Sequence, residues 1–231
     1  MAGSPLFISR FDNQTTSFVN AGATVQPVWT AGRFGSRIHL VNVVGNGVGS
    51  NPIDLFIGKV ITDNARAFPL GSSGPREKTG GKTPVLSIAT TTTVTRTNGS
   101  FLIDGWQVGN RIAIINEWNN VQNYTIQLLT TVVAATLTLT SAVNATDTTP
   151  PGDMQLLRCA QICSGTLTSG TGTSNTASLN LLTATLMPGL LGQPETYLVL
   201  GPHEVLLLKV AAAPGSGQSI EVLVGGGDYG E

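Results

Sequence analysis

Phe101-Leu102-Ile103-Asp104-Gly105-Trp106-Gln107-Val108-Gly109-Asn110-Arg111-Ile112-Ala113-Ile114, with the alternating run Tyr124 to Thr140 behind it, decides the fold class of this 231-residue chain. Tyr124, Ile126 and Leu128 share one face of an extended segment, and Leu137 and Leu139 do the same between Thr136, Thr138 and Thr140. A period of two is the strand period, and Gly105 and Gly109 punctuate the entry as turn residues do. The stretch therefore predicts a compact unit of short strands, and it places no catalytic group. It stands between two halves of a different β domain. The expected organisation is residues 1–85 with 150–231 as one discontinuous domain and 86–149 as an inserted module.

Outward from that centre the same chemistry continues. Arg37 to Val44 and Pro52 to Val60 read as long strands of an antiparallel pair joined by the open, glycine-rich connection Gly45 to Asn51, with Ile53, Leu55 and Ile57 facing a core. Tyr197 to Leu200, Val205 to Val210 and Ser219 to Val224 form a three-strand meander around the turns Gly201-Pro202-His203-Glu204 and Pro214-Gly215-Ser216-Gly217. Stacked on the first pair, the meander makes a two-layer sandwich. The predicted class is all-β: an antiparallel, jelly-roll-like β-sandwich with an inserted small β-barrel-like module. Met154 to Thr168 reads as a strand covered on both faces, and the Ser/Thr/Gly tract Gly165 to Ser178 as loop.

Composition narrows the function classes. Charged residues are 11% of the chain against about 25% in ordinary domains, so long solvent-facing helices are not expected, while 41% apolar residues supply a core. Twelve basic and 13 acidic residues give a net charge of −1, which leaves no electrostatic footprint for nucleic acid. A surface this poor in charge predicts coverage by further copies of the chain or by a partner. Met1 to Leu6 has no basic-then-apolar leader pattern and no run reaches the roughly 18 apolar residues of a span, so neither export nor a membrane is expected. Cys159 and Cys163, four apart in a strand, would lie about 13 Å apart. That is too far for a disulfide and suits small buried thiols.

Patterns that carry chemistry fail on spacing. Gly80-Gly81-Lys82-Thr83 has Arg76 where a phosphate loop needs glycine, and Pro84 blocks the helix that would follow. His39 and His203 are the only histidines, too few for a zinc site or a defensible Ser/His/acid triad. Asp54, Asp104, Glu117 and Glu204 could pair as glycosidase carboxylates, as in any β protein. Asp104 has a plain use as acceptor in the Asp104-Gly105 turn, and Trp106 as a core anchor. No catalytic residue, cofactor or metal is expected. The interface candidates are Phe7 and Phe11, in a segment that is either a first strand or an arm to a neighbouring subunit; Arg76, Lys78 and Lys82, in a Pro/Gly-rich stretch that is either a docking loop or a linker; and Trp118, at a polar tip where it is either a contact hot spot or folded back on its own hairpin.

Thr95 to Phe101, Asp104-Gly105-Trp106-Gln107-Val108-Gly109, Asn123 to Ile126 and Ala135 to Thr140 resemble a small β module of tailed-bacteriophage virion proteins, over roughly residues 88 to 145. Asn116-Glu117-Trp118-Asn119-Asn120 departs from the short glycine turn usual in that family. The outer part, in Ile38 to Val43 and Leu200 to Leu206, resembles the β-sandwich domains of phage accessory virion proteins. The resemblance implies a non-enzymatic capsid cement or decoration protein, made in the host cytoplasm and carried on the virion surface. Its partners would be the major capsid protein and itself, as a homo-oligomer with a trimer favoured. The alternative it leaves is a receptor- or carbohydrate-binding module of a tail fibre or spike, against which the scattered three Trp and three Tyr weigh, since sugar platforms use rings close together.

Overall fold

A computed structural model describes residues 7–17, 24–63, 85–115, 124–148, 154–183 and 197–229. The described chain is all-β, with strands β1 Phe7–Ser17, β2 Val25–Thr30, β3 Ser36–Asp63, β4 Leu86–Thr90, β5 Thr93–Arg96, β6 Arg111–Ile115, β7 Thr125–Val133, β8 Thr136–Leu139, β9 Gln155–Asn180, β10 Leu198–Leu200, β11 Glu204–Val210 and β12 Ser219–Tyr229. Their ladders are antiparallel. The chain divides into two units, Met1–Ile57 with Gln161–Glu231, and Gly58–Ala160. The sequence reading puts the breaks in loops, near 85 and 150. The division falls instead inside β3 and β9, because each of these long strands serves both units.

In the first unit β12 pairs with β1 on one side and β3 on the other, and β11 pairs with β2. Trp29 of β2, Leu206 and Leu208 of β11, Ile38 of β3 and Val222 and Val224 of β12 share one core, as the layers of a sandwich do. Alternation accounts for β12, where Ile220, Val222 and Val224 are buried and Glu221 is exposed. At the expected Gly45 to Asn51 connection strand structure continues, but the chain bends: a Cβ on Gly45 would lie 2.9 Å from Val48 Cγ2, and Gly47 and Gly49 have φ of 69° and 65°. Asn51 Oδ1 accepts from Ala211 N (3.1 Å), and Gln218 Nε2 donates to Gly47 O (2.8 Å), so the bend is tied to the chain that crosses it.

The tract Gly165 to Ser178, expected as loop, belongs to β9. Cys163 Sγ donates to Leu181 O at 3.7 Å. Eighteen extended residues would separate the two by roughly 60 Å, so the chain reverses inside the tract. Leu167 and Ser169 are buried while Thr166 and Thr168 are exposed, and β-branched threonine suits the pleated surface.

The second unit orders its strands β9-β6-β7-β8-β5-β4. Phe101 and Trp106 are fully buried among Leu86, Val94, Ile112 and Leu137. β7 serves two ladders, Thr125 to Leu128 against β6 and Leu129 to Val133 against β8. The change of partner shifts the buried phase: Tyr124 and Ile126 are buried, but Leu128 is 43% exposed and Leu129 takes the inward place. The expected common face of Tyr124, Ile126 and Leu128 therefore ends one residue early.

Candidate functional site

The expected contact residues distribute unevenly. Phe7 and Phe11 lie in β1, Phe7 opposite Tyr229 and Phe11 in the gap of the β1–β12 register. Arg76, Lys78, Lys82 and Trp118 lie outside the described residues, as does Glu117.

Polar chemistry inside the second unit concentrates around Asp104. Its Oδ2 lies 2.7 Å from Arg96 Nη1, with the side chains 4% and 0% exposed. Thr62 Oγ1 donates to the same oxygen (2.5 Å) and in turn accepts from Trp106 Nε1 (3.1 Å). The Arg96 guanidinium also lies 4.9 Å from the Phe101 ring centre, and its Nε donates to Asn98 O (2.5 Å). The expectation that Asp104 caps its own turn is corrected here. Backbone carbonyls already close that turn, with Asp104 N donating to Ser100 O, Gly105 N to Leu102 O and Trp106 N to Phe101 O. The carboxylate is left to face the buried arginine. Trp106 is the core anchor expected of it, with the added N–H bond to Thr62.

The first unit holds a comparable series. Trp29 Nε1 donates to Ser36 Oγ (3.0 Å), and Ser36 Oγ donates to Asp228 Oδ1 (2.5 Å), which also accepts from Gly32 N (3.2 Å). Buried Trp N–H, hydroxyl and carboxylate thus lie in series in each unit, the way buried polar groups avoid being left unpaired.

Two further described carboxylates, Asp54 and Glu204, make local hydrogen bonds. Asp54 Oδ1 accepts from Gln161 Nε2 (3.0 Å) and Ser164 Oγ (2.7 Å), and Glu204 Oε2 accepts from Gly201 N (2.8 Å). His203 takes φ of 60° in the turn between β10 and β11, while His39 is exposed on β3. No group of three or more His, Cys, Asp or Glu among the described residues could hold a metal ion.

Cys159 and Cys163 are free and buried. Burial pushes the Cys159 thiol up to about 12, against smaller downward pulls from the Ala113 backbone and Arg111. Burial, with the Asp54 carboxylate, pushes Cys163 up to about 11. As pH rises past the ordinary thiol value of 9.0, the unfolded chain sheds these protons first. Stability is therefore full below pH 9.0 and falls between there and about 12. The urea midpoint should drop across that window, and drop less in Cys159→Ala/Cys163→Ala; equal slopes in both proteins would contradict this.

The feature that sequence reasoning missed is apolar and exposed. In the second unit Leu102 (55%), Ile103 (66%) and Val108 (65%) are exposed in the segment that contains the buried Trp106. Phe101 N donates to Ala134 O and Gly109 N to Leu129 O, so this segment runs beside β7 and its exposed Leu128 and Val133. The signal was available, since three aliphatic side chains sit in a glycine-bounded turn too short to bury them all. Among known proteins, no family model, characterised protein or solved structure matches the chain.

Proposed function

We propose that this protein is a non-enzymatic structural component that acts by surface contact, as a cement or decoration protein on the outside of a bacteriophage capsid. The observation that carries the reading is the exposed aliphatic side chains of Leu102, Ile103 and Val108, in a segment beside β7 on a chain with 11% charged residues. Contiguous exposed apolar surface marks a contact site. Support comes also from Asp54, Asp104, Glu204 and Asp228, whose hydrogen bonds hold turns and the core together. A jelly-roll-like sandwich carrying a barrel-like second unit belongs to the same reading, as does self-association, with many copies multiplying modest affinities.

Purified protein mixed with capsids that lack it should co-sediment with them. Ile103→Asp should weaken that binding tenfold or more while leaving the circular dichroism spectrum unchanged, because burying one such side chain contributes about 1.5–3 kcal/mol. Binding to purified tails and not to capsids would favour the tail-fibre or spike reading. Undiminished binding by Ile103→Asp would remove the segment from the contact.

A further inference from the structure

β12 is held on one side by β3, and its buried Ile220, Val222 and Val224 fix it in the core. Its other edge is covered by β1 through two separate ladders, Phe7 to Arg10 against Gly226 to Tyr229 and Gln14 to Ser17 against Glu221 to Val224. Between them residues 11–13 stand opposite the single Gly225. β1 is the terminal strand of this order. Without it, β12 would present a row of backbone N–H and C=O groups, a ready template for another chain. The ladder is made by backbone groups, so the β12 edge takes Phe7–Ser17 of any copy in the same register.

We propose that β1 is a donor strand: Phe7–Ser17 of one copy completes the β12 edge of a second copy. The proposal rests on the self-association reading above. Exchange keeps every hydrogen bond of the ladder while linking the copies, which makes it a low-cost route to an oligomer. The eight residue steps from Ser17 to Val25 reach at most about 29 Å, so the recipient sits directly beside the donor.

The register supplies the test. Thr15 and Leu223 are Cα partners. Full-length Thr15→Cys/Leu223→Cys is oxidised beside wild type, whose buried Cys159 and Cys163 give the background. Exchange predicts disulfide-linked dimers and larger species on a non-reducing gel, in excess over wild type and each single variant. The pair Ser17→Cys/Glu221→Cys, also in register and with Glu221 exposed, repeats the measurement if the first variant does not fold. A crosslink confined to one chain, or none at all, overturns the proposal. Light scattering on the same samples separates the layers: an assembled protein crosslinked within chains overturns exchange and leaves self-association standing, whereas a monomer overturns both.

Discussion

Asp104→Ala should lower the stability of the unit Gly58–Ala160 by about 3–5 kcal/mol, the cost of leaving one partner of a buried ion pair alone. Arg96, whose side chain is fully buried, would keep its charge without the carboxylate 2.7 Å away, and Thr62 would lose the acceptor for its hydroxyl. The pair as a whole contributes far less than that figure, because burying two charges costs nearly as much as their attraction returns. Asp104→Ala/Arg96→Met should accordingly recover most of the loss. Urea unfolding followed by tryptophan fluorescence, with Trp106 in the same cluster, reads both variants. A loss below about 1 kcal/mol for Asp104→Ala, or a double variant as weak as the single, would show that the pair does not organise this core.

Gly35→Ala should be comparably severe in the other unit. Gly35 takes φ of 90°, where L side chains are strained by about 1–3 kcal/mol. Its new Cβ would also lie 2.5 Å from the backbone oxygen of Leu200, an atom held by the β10–β3 ladder and unable to swing aside. Overpacking of that kind adds about 1–3 kcal/mol. Gly49→Ala is the control: φ is 65° there and nothing lies within 4 Å, so only the strain should register. Equal losses in the two variants, measured by thermal or urea unfolding, would contradict the role given to the Leu200 carbonyl.

Local pattern was legible and long-range partnership was not. The alternation of Leu137 and Leu139 or of Val222 and Val224 reports the buried face directly, because strand periodicity is fixed within a few residues. Leu128 escaped the rule because β7 changes partners there, which depends on β6 and β8 and not on the run itself. The Thr/Gly tract of β9 was misread because composition alone does not distinguish a loop from a strand that turns back. Asp104 was visible as a turn residue, yet its partners Arg96 and Thr62 stand 8 and 42 positions away, and Ser36 meets Asp228 across 192. Exposure of Leu102, Ile103 and Val108 is foreshadowed by the shortness of their glycine-bounded turn, but which side chain goes inward, Trp106, is set by the rest of its core cluster.

The proposed function is adhesion to a capsid surface. Quantitative co-sedimentation with capsids lacking this protein tests it most directly. The account predicts saturable binding that raises the temperature at which the shells break open. Wild-type protein left in the supernatant at every concentration, with shells no more resistant to heat than before, would contradict it.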